Sequence, residues 1–556
     1  MNNLNPRWRG LFVVVAVLVC AGFLLGACGS KSTSTKAGNE GTPKPGGVYN
    51  YALGANPVAI EPQQALESEG IQVAHQVFQG LMRYELQPDG GMKAVPCIAE
   101  SVDTSPDLTT FTFHLKHGVM FQPPVNREVT AQDFVDSWNR VTDPNANSPV
   151  SYILAPIQGA NDGGYQADPA KGLTGVKALD KYTLQVKLRY PFAEFVQTLG
   201  HTVAAVTPVD YIKKIGEKAW ALKPVGTGPY MVEKWVPNQY IDLVKNPTYW
   251  DKNTAGYVDK IHMPIFTGAE STQTMFLEFE KGVLDYSDVP PGLVRKTLGM
   301  PQVTSGKWTA KMYPALAVNW VGMNMKDPVL GKDLALRQAI CYSTDQASVC
   351  NIISEGVDVP ATGIIPVGVP GYRPGQDPYP FDTQKAKDLV AGMGSVPTLN
   401  YWFNTDPQGE KNAEVLQAGW KAVGINVKLS NYEWATYLDK LSKGDQDQMF
   451  RMGWIADYPS MDNFTYPLFQ SANSRVGSYT FYSNKNVDQL LQTARGTADD
   501  TQRHDLYAQA EKLILADAPV APVFFYRDFR VSNTQRIGGY YHDPMGFTDM
   551  WKVWVK

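Results

Sequence analysis

The chain has 556 residues, 44% of them hydrophobic, with 54 acidic and 50 basic side chains and a net charge of −4. At roughly 100–200 residues per domain there is room for two to four domains. The mild acidity, without a dense run of lysine and arginine, excludes nucleic acid and anionic membrane surfaces as partners, and five cysteines in so long a chain exclude a disulfide scaffold.

The N-terminus predicts the compartment. Arg7 and Arg9 form a basic start, and residues 11–25 are an apolar run of signal-peptide length. A bilayer-spanning helix needs about 20 apolar residues, so a permanent transmembrane anchor fits less well. The run ends in Leu25-Gly26-Ala27-Cys28-Gly29, which resembles the bacterial lipobox. There the small residues admit the signal peptidase and the cysteine sulfur takes a diacylglycerol; an ordinary secretory signal with a chance cysteine is the alternative. Two acyl chains make anchoring stable where one is marginal. Loss of residues 1–27 would shift the net charge from −4 to −6. Residues 29–46 hold no large apolar side chain and read as a flexible tether of roughly 23 Å root-mean-square span.

The body predicts alternating strands and helices. Residues 109–116 put Phe111, Phe113 and Leu115 on one face of a strand and Thr110, Thr112 and His114 on the other. Thr130 caps a helix, with Asp133 three residues on and Phe134, Trp138 and Val141 along one stripe. Asp382 caps another that Gly392 or Gly394 closes. Residues 398–402 read as a strand, 412–423 as a helix burying Val415, Leu416, Trp420 and Val423, and Ile425, Val427 and Leu429 as the next strand. That spacing implies a parallel pair with a crossover helix. Cys97 reads as a small buried hydrophobe; Cys341 and Cys350 either pair or remain two buried thiols.

Catalytic signatures are sparse. There is no G-x-S-x-G elbow, no H-E-x-x-H and no complete P-loop, and Gly226-Thr227-Gly228 lacks the third glycine of a dinucleotide fingerprint. The seven histidines are scattered, and no cofactor or metal is expected.

From Gly47 to Lys556 the body resembles the peptide-type solute-binding proteins (family 5) of ATP-driven ABC importers. The segments that carry the likeness run in the family's order: His75-Gln76-Val77-Phe78-Gln79-Gly80-Leu81, Phe111 to Phe121, Gly226-Thr227-Gly228-Pro229-Tyr230, Asn246-Pro247 with Tyr249-Trp250, Leu336-Arg337-Gln338-Ala339, and Arg451-Met452-Gly453-Trp454-Ile455-Ala456-Asp457-Tyr458-Pro459. The oligopeptide-binding branch is the nearest likeness. It implies an α/β, two-lobe periplasmic-binding-protein-like (type II) fold with a two-strand hinge near residues 313–317 and 522–526. On that scheme residues 1–27 are the signal peptide and 28–46 the tether. The first lobe takes 47–79, 206–313 and 523–556, with an extra α/β domain inserted at 80–205, and the second lobe takes 314–522.

The implied function is a lipid-anchored, extracytoplasmic, monomeric receptor that hands oligopeptides to ABC permease subunits and is not an enzyme. A peptide of unspecified sequence offers a positive amine, backbone amides and a negative carboxylate, so its receptor pairs both charges and bonds the backbone like an added strand. By the resemblance Asp457 takes the amine and Arg451 the carboxylate, while Trp454, Trp434 and Tyr458 line pockets. Bland alternatives stand beside these roles: a helix cap before Pro459 for Asp457, an internal ion pair for Arg451, ordinary core for the tryptophans. The spacing from Trp434 to Asp457 is one residue longer than in a family member, so Trp434 matches less well than Trp454. A receptor for a non-peptide solute (sugar, nickel, opine) is the second functional reading, since the fold is widely reused. A secreted hydrolase or peptide-holding chaperone is the third.

Overall fold

Residues 41–556, apart from 89, 269 and 406, are described by a computed structural model. The signal segment, Cys28 and the tether as far as residue 40 lie outside the described residues. Among the described residues no helix is long and apolar enough to cross a membrane.

A four-stranded sheet runs in the order Val48–Asn50, Lys260–Pro264, Tyr240–Lys245, Tyr230–Val236. The helix Ser68–Val77 packs with it, and Tyr49, Val73, Trp220, Ile261, Ile537 and Val553 share one core. The last residues of the chain thus close a core begun by the first described strand. Gly226-Thr227-Gly228-Pro229 lies against the end of that helix. A Cβ on Gly226 would stand 2.0 Å from the Val77 carbonyl oxygen, and one on Gly228 2.5 Å from that of Gln76. Close backbone approach, not phosphate binding, is what those glycines supply.

A second, antiparallel sheet orders Ala99–Thr104, Thr110–Leu115, Thr183–Lys187 and Val176–Ala178. Phe111, Phe113 and Leu115 point into its core as the alternation predicts; each such burial contributes about 1.5–3 kcal/mol. The helix Ala131–Thr142 begins with the expected capping box between Thr130 and Asp133 and buries Phe134, Trp138 and Val141.

The third sheet carries the site. Its order is Tyr286–Asp288, Val520–Ser532, Thr309–Met323, Met449–Ile455, Leu399–Asn404, Val427–Tyr432, with Val359–Pro360 beside Val520–Ser532. Leu399–Asn404 and Val427–Tyr432 pair in parallel, joined by the helix Pro407–Ala422, which is the expected crossover unit. The helix Thr383–Ala391 starts where Asp382 accepts the Lys385 N–H at 2.9 Å. Cys97, Cys341 and Cys350 are free, buried thiols.

Two long strands run side by side through this sheet. Thr309–Met323 pairs with Val520–Ser532 from Thr309↔Ser532 to Pro314↔Arg527, then resumes at Val318↔Phe525, so the register breaks between Pro314 and Val318. Met449–Ile455 is paired along its whole length with Thr309–Met323. On its other side only Met449 and Phe450 pair, with Tyr401 and Trp402. The Tyr437 hydroxyl bonds the Arg451 carbonyl, and beyond it residues 452–455 have no strand beside them on that side among the described residues.

Candidate ligand-binding site

Asp457 sits in the turn that leads from the strand Met449–Ile455 to the helix Met461–Phe469. That helix is capped by Ser460, whose side chain accepts the Asp462 N–H at 2.9 Å, so the Asp457 carboxylate is not spent on capping. Asn463, in the helix's first turn, organises the turn. Its Oδ1 accepts the Asp457 N–H at 2.9 Å and the Trp454 indole N–H at 2.9 Å, and its Nδ2 donates to Asp457 Oδ2 at 3.4 Å.

The carboxylate opens into a cavity of about 160 Å³ whose walls include Tyr84, Tyr152, His75, His201 and Phe547. Tyr152 stands beside the carboxylate and favours its charged form, and the Tyr84 hydroxyl donates to the Asp457 carbonyl at 3.4 Å. Burial pushes the Asp457 carboxyl up to about 6, against the opposing pull of Tyr152 and Asn463. No lysine or arginine among the described residues pairs with it. The histidines do not supply the missing cation. His75 is tied to Asp549 at 2.9 Å, and burial drives His201 down to about 4, so it stays neutral. A desolvated anion held by neutral donors, with no counter-charge, is poised for a cation.

Arg451 lies six residues earlier, roughly 20 Å of extended chain away, on the wall of a second cavity of about 410 Å³. Its Nη1 donates to Asn404 Oδ1 at 3.0 Å and its Nη2 to the Tyr526 hydroxyl at 2.9 Å. The same hydroxyl accepts from Asn319 Nδ2 at 3.2 Å. Tyr526 belongs to one long strand and Asn319 to the other, so both orient the guanidinium.

Residues 93–475 match the model of the bacterial extracellular solute-binding proteins, family 5 Middle. The chain belongs to this family. It is 29% identical over 548 residues to the oligopeptide-binding protein OppA of Bacillus subtilis, covering 94% of this chain and 95% of that one. Two solved structures superpose over most of its length. One is the DppA binding protein of Helicobacter pylori in complex with the peptide STSA, with a TM-score of 0.75, 26% identity and coverage of 92% and 98% of the two chains. The other is Haemophilus influenzae OppA in complex with the peptide RPPGFSPFR, with a TM-score of 0.72, 25% identity and coverage of 92% and 100%. The mixed α/β, two-lobe type II fold expected from the sequence stands.

In this family 5 binding protein the remaining expected site residues separate. Trp454 is half-buried, packed on the main core with its indole anchored by Asn463; it braces the Asp457 turn. Trp434 opens the helix Trp434–Lys443, is 45% exposed, stacks on Tyr437 and lines neither cavity. Tyr458 also corrects its expected role. Its side chain points into the core, where its hydroxyl donates to Asp462 Oδ2 at 2.8 Å beside the buried Arg495–Asp462 pair. A tyrosine so engaged is part of the packing and not of the ligand wall. Asn463, Tyr152 and Tyr526 were not found from sequence. No local motif marks them, because each reaches its partner through the tertiary fold.

Proposed function

We propose that this chain is an extracytoplasmic receptor that binds oligopeptides and delivers them to an ABC-type importer, working by binding and release without chemistry of its own. The observation that carries this is Asp457, a cation-free carboxylate at the end of an open strand edge and inside an aromatic chamber. A peptide's α-ammonium is the matching charge. From there its backbone would lie along residues 452–455 as an added strand, with its carboxylate toward Arg451. The peptides bound in the Helicobacter and Haemophilus structures, and the name of the Bacillus relative, support the same ligand class.

In this scheme the two long strands are the hinge, with residues 313–317 and 522–526 as its crossings; the register break between Pro314 and Val318 is where such a strand pair bends most easily. Residues 80–205 form the inserted domain, whose Tyr84 and Tyr152 cover Asp457. Cys28 carries the lipid that tethers the monomeric body to the membrane. Purification without added ligand, followed by mass spectrometry of the denatured eluate, tests the ligand class. Short peptides of mixed sequence are the expected finding; a single non-peptide solute at stoichiometric occupancy would overturn it.

A further inference from the structure

The cavity that holds Arg451 carries a second charge. Asp358, just before the strand Val359–Pro360, lines the same space of about 410 Å³. Its backbone N–H donates to Ser354 Oγ at 3.1 Å, and its Oδ1 accepts the Arg527 N–H at 3.2 Å. The neighbouring guanidinium is committed elsewhere, since Arg527 Nε donates to the Val357 carbonyl and Nη2 to that of Gly356 at 2.7 Å. Among the described residues Asp358 makes no ion pair. Burial pushes its carboxyl up to about 6, and the Arg527 N–H, Ser354 and the Arg527 charge offset that only in part.

We propose that this cavity seats the last residue of the bound peptide and that Asp358 selects a basic side chain there, the α-carboxylate resting on Arg451 and the side-chain cation on Asp358. The inference rests on the peptide-binding reading and on Arg451 as carboxylate partner. One wall offers the apolar faces of Leu416 and Phe524, along which a long stem lies; Asn412 and Tyr401 complete it with neutral polar groups. A half-buried anion with no direct ion pair is costly, and a lysine or arginine relieves that cost where an apolar residue does not. An acidic last residue adds repulsion, so one aspartate both attracts and rejects.

Three peptides of one sequence, ending in lysine, norleucine or glutamate, are titrated by calorimetry into the wild-type protein and into Asp358→Asn. On the wild type the lysine peptide is expected to bind about ten- to a hundredfold tighter than the norleucine peptide, and the glutamate peptide weakest. In Asp358→Asn the lysine advantage disappears while norleucine binding stays within a few-fold of wild type. Equal binding of lysine and norleucine peptides by the wild type overturns the proposal without help from the variant. So does a lysine preference that survives in Asp358→Asn. Binding of none of the three by wild-type protein would remove the peptide reading itself, and the inference with it.

Discussion

Asn463 grips Asp457 from two sides, accepting its amide N–H at 2.9 Å and donating to its carboxylate at 3.4 Å. The carboxylate is therefore aimed before any ligand arrives, and little of the binding free energy goes into orienting it.

Removal of that carboxylate tests the site directly. Stranding one half of a buried ion pair costs about 3–5 kcal/mol, or roughly two to four decades of affinity. Asp457→Ala should nearly abolish peptide binding while the empty protein melts close to wild type. Acetylating the peptide's amine should weaken wild-type binding strongly and affect the variant little, a double-mutant cycle readable by calorimetry. Equal binding of free and acetylated peptide by wild-type protein would remove Asp457 from the site.

Acid should loosen the complex. Burial holds the Asp457 carboxyl at about 6 in the empty protein, whereas a peptide α-amine stays charged below about 7.7. Between about pH 6 and 7.7 both partners are ionised. As pH falls through 6 the carboxylate protonates and the pairing is lost, by up to about tenfold in affinity per pH unit. The effect on folding has the opposite sign. A carboxyl raised above its unfolded value contributes stability that is full below about 3.9 and is lost as pH rises through 6. Titration with a peptide ending in an apolar residue, so that Asp358 is not engaged, isolates this effect. Asp457→Asn should flatten the profile, and a steep acid loss that persists in the variant assigns it to another group.

Asn463→Ala should hurt both folding and binding, but each partially. It strips the acceptor from the Trp454 indole and from the Asp457 amide, and an unsatisfied buried donor costs about 1–3 kcal/mol. Urea denaturation should show a loss in that range, and calorimetry a weakening smaller than that of Asp457→Ala. Unchanged affinity would mean that the turn is held by other contacts.

Ligand should close the body. Residues of the 80–205 segment touch those beyond 450: Ala193 N–H donates to the Arg495 carbonyl at 2.8 Å, and Glu194 lies 3.7 Å from Arg503. An empty protein hinged at the register break should open these contacts, so small-angle scattering should report a smaller radius of gyration on adding peptide. Melting should also shift upward, by about 2.7 kcal/mol of stabilisation at a hundredfold excess over the dissociation constant. An unchanged radius at saturation would count against the hinge.

Anchoring is tested separately. Wild-type protein should partition with membranes and incorporate labelled palmitate, and Cys28→Ser should do neither. Unlipidated wild-type protein found wholly in the medium would exclude the anchor.

Local pattern carried much of the fold. The alternation at Phe111, Phe113 and Leu115, the Thr130–Asp133 box, the Asp382 cap and the parallel crossover pair all depend on neighbours a few residues apart, so the sequence displays them. The register break between Pro314 and Val318 and the open edge at 452–455 depend on which strand lies beside which; periodicity is silent on both. Asp457 and Arg451 were legible only by family likeness. Tyr152 meets Asp457 across some three hundred residues of chain, and nothing around it signals that meeting. Tyr458, inside the same motif as Asp457, faces the other way because the chain turns between them.

An unpaired strand edge is ordinarily where sheets of different molecules stack and aggregate. Here one charged side chain stands at each end of the open stretch, Arg451 before it and Asp457 after it. A strand from the interior of another folded protein has no N-terminal ammonium to set against Asp457, so docking there would bury that carboxylate unmatched. A short free peptide brings the counter-charge with it. The carboxylate that would seat a ligand therefore also guards the empty receptor against its own kind.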